Sequence, residues 1–337
     1  MRRPREEWQM QTASCRRLAA CALAAVLLAA LPQTAGAVTA NRERALEGSS
    51  YVVAQQRPNG AICAFSCIGS TADAVDSLVG ARSAPRAVRD AIAYLSDQVQ
   101  RGRVSGVGLR AKVVMAAVAG GADPRSFGGT NLVAAIRATE GDNGRFDTAA
   151  VFDQALAILA LRAAGANVST QALHWLASAQ CDDGGWQYDQ RASADDDAHC
   201  LSTTDPGTDY FTSDSNTTSL AVQVLRTGSR VDDALAFFRT LRDGSAGWGY
   251  SQCCITTDTN STAMVIQAYV AAGVAVPSGG FGALRRLQLN CGAWPYQAGS
   301  PADVGATIGA ILGILRQPLP VPQLHAAFPL PTAGSCA

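Results

Sequence analysis

The stretch from Leu173 to Tyr188, LHWLASAQCDDGGWQY, returns in shorter form as LAFFRTLRDGSAGWGY and again as LRRLQLNCGAWPY. Each copy reads as an amphipathic helix closed by small residues and a Trp-x-Tyr turn. In the first copy Leu173, Leu176, Ala177 and Gln180 recur at helical spacing, Gly184-Gly185 stop the helix, and Trp186 is placed to fold back over its last turn. Trp186, Trp248 and Trp294 are therefore one position met three times. A unit that cannot bury its own apolar face must stack on its neighbours, so the repeat constrains the fold more than any other feature.

Followed along the chain, the rhythm predicts six helical hairpins. Asn41 to Gln56 and Ser70 to Ala81 make the first, separated by Pro58-Asn59-Gly60; Pro85 to Gln100 and Val107 to Ala119 make a second without an aromatic turn. A third runs through 131–139 and 149–165, with Phe146 at the tryptophan position. The fourth holds Trp186 and reaches its second helix, 216–227, after an acidic insertion. Residues 231–242 with 260–273, and 279–289 with 301–315, complete the count. Second helices such as LAILALRAAG and VGATIGAILGIL are apolar almost all round, the mark of a buried helix, whereas the first helices carry charge on one face. The expectation is an all-α protein, an α6/α6 toroid with an inner and an outer ring, because closure removes the ends that open arrays must cap. Residues 38–316 would form it, and the proline-rich 317–337 would lie on it as an irregular tail.

Residues 1–37 stand apart. Arg16-Arg17, the apolar run Leu18 to Leu31 and Ala35-Gly36-Ala37 have the pattern of a secretory signal, too short in its apolar part for a membrane span. The protein is expected to be secreted, without a transmembrane anchor. Beyond residue 37 the chain carries 22 basic and 25 acidic residues, a net −3, so nucleic acid and anionic lipid are not expected partners. Export leaves an even set of eight cysteines, which implies disulfides. Cys63 and Cys67 can pair locally, and Cys181 with Cys200 would staple the acidic insertion. Among Cys253, Cys254, Cys291 and Cys336 three pairings are open. The vicinal bond is the most strained, so Cys291 and Cys336 are each expected to take one of the adjacent pair.

The Gln180 to Trp186 spacing, with a small residue before each tryptophan, resembles the QW repeat of squalene and oxidosqualene cyclases and the helical hairpins of protein prenyltransferase β-subunits. Asn260-Ser261-Thr262-Ala263-Met264, echoed by Asn216-Thr217-Thr218-Ser219-Leu220, is similar to the motif that opens inner helices in transcobalamin and intrinsic-factor α-domains. The combination looks most like exported bacterial prenyltransferase/squalene-oxidase repeat proteins, which implies the toroid and no particular activity. Class II terpene cyclases need an Asp-x-Asp-Asp acid; Asp195-Asp196-Asp197-Ala198 breaks that spacing. Prenyltransferases hold zinc through distant Asp, Cys and His ligands, unlike the adjacent Asp197, His199 and Cys200. Asp195, Asp196 and Asp197 offer oxygen ligands to calcium but lack EF-hand spacing, so neither a metal nor any other cofactor is expected. The thioester motif of complement-type toroids is missing.

What remains is a polar set at the starts of the inner helices: Asp147-Thr148, Asp214 with Asn216-Thr217, Asp258 with Asn260-Ser261, and Asp303. Their first role is N-capping. Six inner helices running the same way would also aim six N-termini at one rim, where donors and dipoles suit a polar or anionic ligand. Tyr188, Tyr250 and Tyr296 could reach that mouth. The leading expectation is an exported, non-catalytic toroid that binds a small molecule or an extracellular protein at this rim. The competing expectations are a terpenoid cyclase or prenyltransferase-like enzyme, and a polysaccharide lyase or glycosidase using Asp153 with an acid of the insertion. An apolar cavity lined by aromatics would favour the enzyme.

Overall fold

Alternation in apolarity is what sorts the helices into two rings. The computed structural model describes residues 35–147, 150–188, 212–323 and 327–336, and twelve α-helices lie among them. The inner ring is α2 (Cys67–Gly80), α4 (Val107–Ala119), α6 (Val151–Ala163), α8 (Ser215–Leu225), α10 (Thr259–Ala271) and α12 (Val304–Leu315). The outer ring is α1 (Ala35–Ala54), α3 (Pro85–Gln100), α5 (Leu132–Arg137), α7 (Thr170–Ser178), α9 (Ser229–Thr240) and α11 (Gly280–Leu287). The toroid belongs to the compact unit Asn41–Ala337.

Each inner helix packs on the next, and α12 packs back on α2, which closes the ring. Side chains pin that seam. Ser77 Oγ donates to the Ile308 carbonyl at 2.7 Å, Gln288 Nε2 to the Arg44 carbonyl at 2.9 Å, and Arg285 Nε to Asn41 Oδ1 at 2.9 Å. A Cβ on Gly48 would come within 2.7 Å of the Trp294 ring, so only a hydrogen there lets α1 approach the last turn.

The turns share one construction. Gln56, Gln98, Glu140, Gln180, Arg242 and Gln288 each stand six residues before a buried Ile62, Val104, Phe146, Trp186, Trp248 or Trp294. Four residues in, the backbone is left-handed at Gly60, Gly102, Gly144, Gly184, Ala246 and Gly292. The amides of Gln56, Gln180 and Gln288 donate both to their own turn, at the carbonyls of Gly60, Gly184 and Gly292, and to the neighbouring outer helix, at those of Ala87, Arg230 and Arg44. Arg242 makes the equivalent bridge to Ala246 and Ser278. The position therefore latches one hairpin to the next. Trp186 and Trp294 donate their indole N–H to the carbonyl ten residues back, Leu176 and Leu284, at 2.8 and 2.7 Å. Two-residue antiparallel ribbons join the fourth and sixth turns to their inner helices: β1 (Trp186–Gln187) with β2 (Ser213–Asp214), and β3 (Trp294–Pro295) with β4 (Ala302–Asp303).

The tail crosses one end of the ring and then follows the seam. Leu319 donates its N–H to Gln223 Oε1 at 2.7 Å, Val321 is buried, Phe328 donates to the Arg82 carbonyl, and Pro331 accepts from Ser50. That path corrects the expected cysteine pairing. Cys336 arrives at Cys291 and bonds to it, Cys63 bonds to Cys67, and Cys253 and Cys254 remain thiols. The seam brings the tail to the turn of the sixth hairpin, and Cys253-Cys254 lie on the fifth. Cys181 is also in a disulfide; Cys200, its expected partner, lies outside the described residues, as do Asp195, Asp196 and Asp197.

Candidate functional site

All six inner helices contribute to one axial cavity of about 270 Å³, lined from α2 by Asp73, Asp76 and Ser77, from α4 by Lys112, and from α6 by Phe152 and Leu156. Asn216 and Leu220 of α8, Asn260, Met264 and Gln267 of α10, and Ile308 and Leu312 of α12 complete the wall. Leu319 of the tail reaches it too, near the C-terminal ends of the inner helices. Phe65, 90% exposed inside the Cys63–Cys67 loop, lies at the opposite end. The surface of the wall is mostly apolar, with two aromatic rings and the amides of Asn216, Asn260 and Gln267 among the aliphatic side chains, and its charge is gathered on one side.

That charged side is built by packing. Asp73 and Asp76, three apart on α2, fall on one helical face. Lys112, the only lysine in the chain, donates from Nζ to Asp73 Oδ2 at 2.7 Å. Asp153 of α6 packs against Gly108, where a Cβ would collide with its carboxylate. Burial alone would lower the Lys112 ammonium. Asp73, through charge and hydrogen bond, then Asp153 and Asp76 outweigh it and hold the ammonium above its ordinary value. Asp76 is different. It is 3% exposed, its Oδ1 has no protein partner, and burial, then the Asp73 charge, push its carboxyl well above the usual range while Lys112 pulls it down. The carboxyl thereby holds its proton more tightly than a free one, in a largely apolar chamber and beside a cation that favours its conjugate base.

The sequence-predicted rim residues divide. Asp214, Asp258 and Asp303 cap α8, α10 and α12, accepting from Thr217, Ser261 and Ala306 backbone N–H groups at 2.8, 2.7 and 2.6 Å. Burial raises Asp214 to about 7 and Asp258 to about 6 despite those hydrogen bonds. Asn216 and Asn260, expected among the caps, sit two residues past the capping aspartates and line the cavity instead. Asp147 is not a cap: its φ is +54°, its N–H donates to Thr139, and α6 starts from Ala150 without a side-chain cap. Thr217 and Ser261 are buried. Tyr188, Tyr250 and Tyr296 are joined to the rim by their carbonyls, which accept from Phe152, Ser215 and Thr259 at the starts of α6, α8 and α10. The Tyr188 ring lies 5.6 Å from that of Phe152, and Tyr188 and Tyr296 are more than 40% exposed. Tyr250 is more buried, and burial first, then Asp214 and the other two tyrosines, push its phenol up.

Sequence reasoning missed Asp73, Asp76 and Lys112. A lone lysine in a chain of arginines was the one visible signal.

No family model matches the chain, and no curated protein matches it in sequence. Among solved structures it is similar to the type II terpene cyclase MstE from Scytonema, with a TM-score of 0.62 at 13% identity over 83% of this chain and 98% of that one. A variant of MstE in complex with its substrate, geranylgeranyl dihydroxybenzoate, matches with a TM-score of 0.60 at 12% identity over 84% and 98%. The GH76A alpha-1,6-mannanase from Salegentibacter matches at 0.53, 12% identity and 83% and 98% coverage. At these identities the likeness shows the α/α-toroid fold of terpenoid cyclases and of such glycosidases.

Proposed function

We propose that the protein is an acid-initiated cyclase or isomerase of a small, apolar, alkene- or epoxide-bearing molecule of isoprenoid type, with Asp76 as the general acid. The observation that carries this reading is the placement of a buried carboxyl, Oδ1 unpaired, on the wall of the axial cavity that all six inner helices share. Protonating an epoxide oxygen or alkene carbon needs a neutral acid in the ground state and a stabilised carboxylate afterwards. Burial supplies the first and Lys112 the second, so the charge arrangement suits the proton-transferred state. Phe152, Leu156, Leu220, Met264 and Ile308 exclude water from the cation so formed. The structural likeness to a terpene cyclase supports the fold for such chemistry, while the choice of acid rests on this chain.

A non-catalytic binder would use the same cavity without turnover. Incubating the purified chain with geranyl, farnesyl and geranylgeranyl alcohols and their terminal epoxides, with chromatographic analysis for isomers of unchanged mass, separates the two. Cyclic isomers are expected, and Asp76→Asn should slow their formation by about 10²–10⁴ while leaving the melting curve cooperative. Turnover should fall as pH rises through the Asp76 titration, because only the protonated carboxyl is competent. Binding of these probes without conversion would assign the cavity to a carrier, and Asp76→Asn at wild-type rate would remove Asp76 as the acid.

A further inference from the structure

Among the described residues, Cys253 and Cys254 are the cysteines that remain as thiols, while Cys63–Cys67 and Cys291–Cys336 are bonded. Both are exposed, and their sulfurs stand 2.9 Å apart. The turn that carries them is fixed at its base: Cys254 donates its N–H to the Ser251 carbonyl at 2.8 Å, and Tyr250 donates to the Cys254 carbonyl at 3.0 Å. Ser251 Oγ lies 3.1 Å from Cys253 Sγ, placed to donate to a thiolate there. The Tyr250 carbonyl in turn accepts from Ser215 at the start of α8, so the pair sits on the rim of the axial cavity.

We propose that Cys253 and Cys254 are a vicinal dithiol site that exchanges with low-molecular-weight disulfides and closes into a vicinal disulfide. In the first step one thiolate attacks a sulfur of the incoming disulfide, forming a mixed disulfide as one small thiolate leaves. The neighbouring thiolate then attacks the protein-side sulfur, the Cys253–Cys254 bond forms, and the second small thiolate leaves. The protein pair is oxidised, the small disulfide is reduced to two thiols, and the two protons released by the cysteines end on those thiolates or in solvent. Because the sulfurs are already in contact, the second step is intramolecular and the mixed disulfide does not accumulate. A ring closed through a single peptide bond departs from unconstrained disulfide geometry, so it reopens more readily than a bond such as Cys291–Cys336 that spans 45 residues.

Trypsin cleavage after Arg242 and Arg285 isolates both cysteines in one peptide that holds no other. The test treats the folded full chain with oxidised glutathione, blocks residual thiols, and weighs that peptide. The expected product is lighter than the dithiol by two hydrogen atoms and carries no glutathione; chain already in that state when purified gives the same assignment. Cys253→Ser and Cys254→Ser, each on an exposed turn, should instead stop at a stable glutathione adduct on the remaining cysteine. A brief dithiothreitol pulse should restore the wild-type dithiol while Cys291–Cys336 stays oxidised. A lasting glutathione adduct on the wild type, two unreacted thiols, cross-linking to a different cysteine peptide, or reduction of both disulfides at one rate would overturn the proposal.

Discussion

Asp214 shows how one side chain serves a helix and makes the fold respond to pH. It caps α8 by accepting from Asn216 and Thr217 at 2.9 and 2.8 Å, yet burial lifts its titration to about 7. An acid with a raised folded-state value binds its proton more tightly folded than unfolded. Stability from this group is therefore fully present below the unfolded value of 3.8 and is lost as pH rises toward 7. The slope can reach about 1.4 kcal/mol per pH unit in that window. Asparagine also caps through its side-chain oxygen and does not titrate. Asp214→Asn should thus flatten the fall in stability between mild acid and neutrality, read by denaturant melts across that range; an unchanged slope would place the sensitivity elsewhere. The capping aspartates were legible in the sequence because each precedes an apolar run. Asp76 was not, since one acid among small residues of a helix gains its meaning only when α4 brings Lys112 beside it.

At the scale of the element, the six turns differ most informatively at Ala246. Five use glycine at the left-handed position; the fifth hairpin holds Ala246 at φ +64°. A left-handed alanine costs about 1–2 kcal/mol relative to a right-handed one, and glycine returns about 0.4–1 kcal/mol of that through unfolded-state entropy. Ala246→Gly should therefore stabilise the protein by roughly 0.5–1 kcal/mol. The converse change is not symmetrical: a Cβ on Gly184 would stand 2.6 Å from the Asp233 backbone carbonyl, which cannot move without α9. Gly184→Ala should lower the melting temperature clearly, and a loss on Ala246→Gly would show that this turn is not strained. The helices and tryptophan turns could be read from the chain because periodicity and small residues declare them. The latch made by Gln56 and Arg242 could not, because its second partner is a backbone carbonyl on a neighbouring hairpin.

For the molecule as a whole, the consequential property is that the ring has no end. α12 meets α2 through the Ser77–Ile308 hydrogen bond, and the turn at Gly292 lies so close to α1 that a Cβ would reach the Glu47 carbonyl at 2.7 Å. An open solenoid tolerates loss of a repeat, since each unit contacts only its two neighbours and the break heals by sliding them together. Here the turn angle between inner helices is set for six, and removing one unit asks five to share a full circle. The latch residues would then miss their carbonyls, and Asn216 and Ile308, which now share one cavity, would lose a common wall. A chain lacking residues 231–276 would leave the apolar faces of α8 and α12 without a partner and would lose the Trp248 turn with its hairpin. We expect it to aggregate or to unfold without a cooperative transition, measured by calorimetry on any soluble fraction. A soluble product melting as the full chain does would mean that the hairpins stabilise one another only pairwise, and that the axial cavity is not a single cooperative unit.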